Sequence, residues 1–252
     1  SLVGCEKGDG YSAYRLSVSN SGLLPVFFDH SGIVPMLRDH IDVACDEKLG
    51  SGRQIYPSLF VAGGQKTGKT FIVNDVYPAL LAKKRALGTF VYIRLTLEAC
   101  APSDTLSYLT AELSKLANDH GVPVVEEKAL SEGQALRAVC RRWSACGVQH
   151  GRLVFIALDE VQRLFGGTRA EAYKRAIAIK HIFHPDPSTT ADKGMLHLRW
   201  LLRGSGMITA FRGFLAIPAN GSRLLSTCRI VPVLPNTVRF ASPLPLQICA
   251  AL

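Results

Sequence analysis

Gly63-Gly64-Gln65-Lys66-Thr67-Gly68-Lys69-Thr70 is the stretch on which the reading of the whole chain turns. It fits G-x-x-x-x-G-K-[ST], the phosphate-binding loop pattern, and it lies between the two segments that the pattern's mechanics require. Upstream, Pro57-Ser58-Leu59-Phe60-Val61-Ala62 is a short apolar run of buried-strand type, and downstream the sequence from Phe71-Ile72-Val73 reads as a helix. Gly63 and Gly68 permit tight, partly left-handed backbone, so that successive N–H groups point into one concavity and meet phosphate oxygens at the positive end of the helix. Lys69 is placed to reach the β- and γ-phosphates, and the Thr70 hydroxyl to ligate Mg²⁺. The expected nucleotide-contacting set is Gly63, Gly64, Gln65, Lys66, Thr67, Gly68, Lys69, Thr70 and Phe71. The bland alternative is a glycine-rich turn with a solvated lysine, and the strand–loop–helix order argues against it.

A second, independent element is Leu153-Val154-Phe155-Ile156-Ala157-Leu158-Asp159-Glu160, an unbroken apolar run ending in two carboxylates. It looks like a Walker B strand. A central parallel strand is covered on both faces and so reads as continuous hydrophobe, and the acid at its carboxyl end emerges beside the phosphate loop. Asp159 is expected to hold the Mg²⁺ shell. Glu160, next in line, is placed to polarise the attacking water as general base, because phosphoryl transfer needs an oriented nucleophile more than covalent help. A core strand followed by a solvated acidic turn is the competing reading.

Together GGQKTGKT and LVFIALDE resemble the additional-strand, catalytic-glutamate branch of P-loop ATPases, which includes the AAA+ proteins and the signal-transduction ATPases with numerous domains (STAND). The resemblance extends over residues 55 to 235. It implies an α/β, three-layer P-loop NTPase fold with a mainly parallel five-stranded sheet. Further apolar runs fit its remaining strands: Thr89–Leu95 as the second, Leu198–Leu202 as the fourth and Arg229–Leu234 as the fifth. In that branch the fourth strand is inserted between the two Walker strands and ends in a polar sensor of the γ-phosphate, which makes Ser205 the sensor candidate. An ordinary glycine-serine turn explains Ser205 equally well. A looser likeness, through Leu158-Asp159-Glu160-Val161-Gln162 and the Gly-Ser turn, is to the ATPase modules of Crinkler-type and retrotransposon-hot-spot proteins.

Between the strands the pattern is helical. Asp104 is expected to cap a helix over 105–119, a second helix runs over 131–146, a third over 170–183 and a fourth over 207–217. A helix over 35–44 precedes the first strand and is read as a packing element; the alternative, implied by the resemblance, is a wall of the adenine pocket. Alternating β and α favours a parallel sheet with right-handed crossovers. Residues 1–31, rich in Gly and Ser, are expected as an irregular lead-in, and residues 32–252 as one ATPase core, with the usual helical lid missing after residue 234.

Composition agrees with a globular domain: 48% hydrophobic and 19% charged residues, and no apolar stretch long enough to cross a bilayer. Seven cysteines form no C-x-x-C pair, and they read as reduced thiols of an intracellular protein, cytoplasmic or nuclear. His181 and His184 have no second ligand pair, and Glu126-Glu127-Lys128 has no strand-borne Asp at nuclease spacing. The net charge of +9 is uneven, because residues 193–252 hold seven Lys or Arg and no Asp or Glu. That region is a candidate nucleic-acid surface, and Arg199, Arg203, Arg212, Arg223, Arg229 and Arg239 are candidate arginine fingers. A solvated basic face is the alternative.

No Asn-Lys pair of a guanine-reading N-K-x-D motif occurs, so ATP is the expected nucleotide. The sequence therefore predicts an ATPase that uses ATP and Mg²⁺ to drive or time a conformational change, with a protein partner or a second copy of itself and no membrane. A nucleotide-gated interaction module with little turnover is the alternative, and a P-loop kinase the third.

Overall fold

Strand pairing explains why the apolar runs of this chain come in the order they do. The computed structural model describes residues 2–8, 11–16, 26–29, 32–45, 58–84, 89–123, 131–183, 185, 194–195, 197–205 and 228–233. In chain order these form strands β1 (Leu2–Gly8), β2 (Tyr11–Leu16) and β3 (Val26–Asp29), helix α1 (Ile33–Ala44) and strand β4 (Ser58–Gly63). The helix after β4 is continuous but changes winding: α2 (Lys69–Phe71) passes through a π-helical turn, Ile72–Val76, into α3 (Tyr77–Lys84). Then follow β5 (Phe90–Thr96), α4 (Thr105–Asp119), α5 (Glu132–Gln149), β6 (Leu153–Asp159), α6 (Arg169–Phe183), β7 (Leu198–Ser205) and β8 (Cys228–Val233).

The main sheet has five strands in the order β5-β6-β7-β4-β8, every neighbouring pair parallel. The strand bearing the second acidic motif, β6, and the strand feeding the glycine loop, β4, are thus separated by β7. The expected strands are all present, with ends shifted by a residue or so and β7 extended to Ser205. Burial follows position in the sheet. The interior strand β6 is buried from Leu153 through Leu158, whereas the edge strand β5 is buried only at Ile93 and Leu95.

Alternation along each strand divides two apolar layers. Leu59 and Val61 of β4, with Phe155, Ala157 and Leu201, pack on α1 and α3; Phe60 and Ala62, with Ile156, Trp200 and Leu202, pack on α4, α5 and α6. The second layer is pinned by Trp143 of α5, whose buried Nε1 donates to the Leu113 carbonyl of α4 at 3.0 Å. Helix α5 also comes very close to the chain entering β6. A Cβ at Gly147 would stand 2.7 Å from the Arg152 carbonyl oxygen, so only glycine fits. In the first layer, Arg199 on β7 is fully buried and donates from Nε to the Ala44 carbonyl at 3.1 Å, which places a cation on the negative end of α1.

Two expectations change. The stretch read as an irregular lead-in holds a three-stranded antiparallel sheet in the order β1-β2-β3. A signal was present in the sequence: Gly8 pairs with Tyr11, and the two residues between them read Asp-Gly, a dipeptide favoured at hairpins. Asp104 does occupy the N-cap of α4, yet its side chain makes no capping bond and instead accepts from the Ser103 hydroxyl at 2.8 Å. Ser131 does cap α5, accepting from the Gln134 N–H at 3.3 Å. The helix expected over 207–217 and the Glu126-Glu127-Lys128 step lie outside the described residues. Among the described residues no helix is long and apolar enough to cross a membrane.

Candidate phosphate-binding site

β4 delivers Gly63 to the carboxyl edge of the sheet, and the chain turns through Gly64 to Gly68 into the first turn of α2. Two residues of the loop are left-handed, Lys66 at φ 57° and Gly68 at φ 87°. The loop is held from inside: the buried Thr67 hydroxyl donates to the Gly64 carbonyl at 3.0 Å, and Lys69 Nζ donates to the same oxygen. Lys69 is thereby folded over the loop. Burial, then the nearby Arg203, lower its pKa, while Glu160 works in the opposite direction. Thr70 is exposed on the first turn. Phe71 is buried in the apolar layer, so only its backbone belongs to the loop.

β6 and β7 supply the other side. Asp159 ends β6, and its Oδ1 accepts from the Glu160 N–H at 2.8 Å. Arg203 of β7 grips the same carboxylate with both arms of its fork, Nε on Oδ1 and Nη2 on Oδ2. Glu160 has left-handed backbone, φ 57°, and its Oε2 accepts from the Gln162 amide. Ser205 stands half-buried at the end of β7, in register with Gly63. A cleft of about 190 Å³ opens between the π-helical turn and the sheet, lined by Asn74, Arg94, Thr96, Asp159 and Arg203 among others.

Lys69, Asp159, Glu160 and Arg203 are therefore neighbours, brought together from three separate segments. Arg203 is the residue whose role the sequence did not disclose. It stood among six arginines considered as fingers, and it and Arg199 are both buried and turned to partners within the chain. A signal existed: both interrupt an apolar strand, and a guanidinium inside a sheet must find an acceptor. Arg212, Arg223 and Arg239 lie outside the described residues.

Comparison with solved structures places this geometry. ORC2 of Aeropyrum pernix, in its ADPNP–ADP complexes, superposes with a TM-score of 0.50 at 17% identity, covering 79% of this chain and 47% of that one. ORC1 of Aeropyrum pernix in complex with DNA gives 0.50 at 17% identity, over 85% of this chain and 46% of that one. This chain has the P-loop NTPase fold.

The Walker-type ATPase PABY2304 of Pyrococcus abyssi gives a TM-score of 0.48 at 16% identity, over 79% and 53% of the two chains. The chain spans about half the length of these solved structures. No protein-family model matches the sequence, and no curated protein matches it. In a P-loop NTPase fold the crevice at the carboxyl ends of the strands is where ligands bind, and there the loop, Asp159 and Glu160 converge.

Proposed function

We propose that this chain binds ATP with Mg²⁺ and hydrolyses the β–γ phosphoanhydride, timing a conformational change in the manner of the additional-strand ATPases. The observation that carries the proposal is the position of β7. It separates the loop strand from the Asp159 strand, so that Lys69 and the Asp159-Glu160 pair face one crevice from opposite sides of an inserted strand. That order supports the AAA+/STAND-like reading.

The loop's N–H groups and Lys69 would hold the phosphates, once Lys69 leaves the Gly64 carbonyl that it now caps. Thr70 and Asp159 offer the hard oxygen donors that suit Mg²⁺. The bound ion would supply charge neutralisation on the transferring phosphoryl group. Glu160 would orient a water and accept its proton after releasing Gln162. Ser205 would hydrogen-bond near the terminal phosphate. ATP is preferred to GTP because the guanine-reading motif is absent from the sequence.

One observation favours the second reading, a nucleotide-gated module with little turnover: both acidic side chains of the site are already engaged, Asp159 by Arg203 and Glu160 by Gln162. Partners on either reading are a protein or a second copy, in an intracellular setting. Nucleic acid remains a candidate through residues 193–252, although two of the seven basic side chains there serve the interior.

The test is Mg²⁺-dependent ATP binding and phosphate release by the wild type, Lys69→Ala and Glu160→Gln. Lys69→Ala is expected to abolish binding. Glu160→Gln is expected to keep binding and lower turnover by about 10²–10⁴-fold. Binding without release in the wild type selects the gated module; no binding removes both readings.

A further inference from the structure

Asp159 is claimed twice, as a ligand for the proposed Mg²⁺ and as the partner of a buried arginine. Arg203 stands on β7 with its Cα opposite Val61, and its fork spans both carboxylate oxygens. The Glu160 N–H takes a further place on Oδ1 at 2.8 Å. A carboxylate has roughly four lone-pair sites, so donors fixed within the protein already fill most of them. The pair is also shielded, with Arg203 7% and Asp159 22% exposed at their side chains. Burial lowers the Arg203 pKa to about 10, which still leaves it charged at neutral pH.

Mg²⁺ demands near-octahedral oxygen ligands at short range. It cannot take lone pairs that a bidentate guanidinium holds, and Lys69 adds a second resident cation close by. One positive charge has to leave before another enters. Arg203 is the group with the least to lose. Its Nη1 is buried and makes no hydrogen bond among the described residues, so the side chain surrenders an incomplete shell. It also has open space beside it, since it lines the cleft of about 190 Å³ with Asn74, Arg94, Thr96 and Asp159.

We propose that Arg203 is a resident counter-cation of Asp159 that the metal must displace, so that this residue sets the metal affinity of the site and holds it low. Nucleotide phosphates then engage the loop and Lys69 first, and metal capture follows as the step that frees Arg203 from β6. The inference rests on the reading of the loop as a nucleotide site. Arg203 is a positioning residue here, acting through Asp159.

The test measures Mn²⁺ binding, by the electron paramagnetic resonance of the free ion, to the full chain saturated with ADP. Wild type is compared with Arg203→Met, Arg203→Lys and Asp159→Asn, and metal-free ADP binding by wild type and Lys69→Ala is measured alongside. Arg203→Met is expected to bind Mn²⁺ tighter by on the order of ten- to a hundredfold, the value of a hydrogen-bonded ion pair that no longer has to be broken. Arg203→Lys, charged but without a fork, falls between Met and wild type, and Asp159→Asn binds weakly. Equal or weaker Mn²⁺ binding by Arg203→Met overturns the proposal. If that variant does not fold, Arg203→Lys decides: it must bind tighter than wild type or the proposal fails. ADP binding that depends on Lys69, beside Mn²⁺ binding blind to residue 203, sinks this inference alone. Absence of ADP binding sinks the nucleotide reading and this inference with it.

Discussion

Arg199 and Arg203 occupy the same strand and point from the same face of it, and both are buried, at 0% and 6% exposure. Their partners separate them. Arg199, at the amino end of β7, donates to backbone carbonyls, those of Ala44 at 3.1 Å and Leu198 at 3.0 Å. Arg203, at the carboxyl end, holds the carboxylate of Asp159. A backbone carbonyl at a helix terminus offers one neutral oxygen, whereas a carboxylate beside a phosphate loop is the kind of charged donor that a hard cation would also seek. On the proposal above, the same residue type is an anchor at one end of the strand and an exchangeable contact at the other. The difference follows the general division of α/β sheets, in which ligands gather beyond the carboxyl ends of the strands.

That division is open to attack from both ends. The largest effect is expected from Trp200→Ala beside Arg199, because Trp200 is fully buried and meets Phe183 edge-on at 4.7 Å. Denaturant unfolding should show a loss of about 3–5 kcal/mol, with the nucleotide affinity of the folded fraction unchanged within about twofold. Equal damage to affinity would erase the distinction between the two ends. Arg199→Ala is expected to cost about 2–3 kcal/mol in the same measurement, through the cavity it leaves and the Ala44 carbonyl stranded there. Ser205→Ala, at the other end, should leave the unfolding midpoint in place and slow phosphate release about tenfold. A shift of the midpoint without a change of rate would make Ser205 an ordinary turn residue. The smallest effect is assigned to Ile177→Ser, on an exposed patch of α6 where Ile177 is 49% accessible. It should move stability by less than about 0.5 kcal/mol and turnover not at all.

What could be read directly from the sequence was local in character. The apolar run of β6, the glycine loop and the helical stripes of α4 and α5 each announce themselves within a few residues, and the structure keeps their order. The partners of the two arginines are not local: Arg199 reaches a carbonyl 155 residues away and Arg203 a carboxylate 44 residues away. No periodicity encodes such a pair, and only the burial of a charge hints that one must exist. The antiparallel strands before α1 were missed for a different reason. Their Gly and Ser content outweighed the Asp9-Gly10 hairpin signal, whose meaning depends on the short flanking strands being recognised first. The π-helical turn over Ile72–Val76 has no sequence marker that distinguishes it from the α-helix on either side.

Glu160 carries a cost that its proposed chemistry would justify. Left-handed backbone at φ 57° is a conformation in which a side chain is penalised by about 1–3 kcal/mol relative to a relaxed one. For folding alone glycine would be the better residue at this position; for the proposed activation of water the carboxylate is the group required. A search for more stable variants of this chain would therefore tend to select the loss of the group that the proposed reaction needs, so that thermostability and turnover would be expected to part company at this residue.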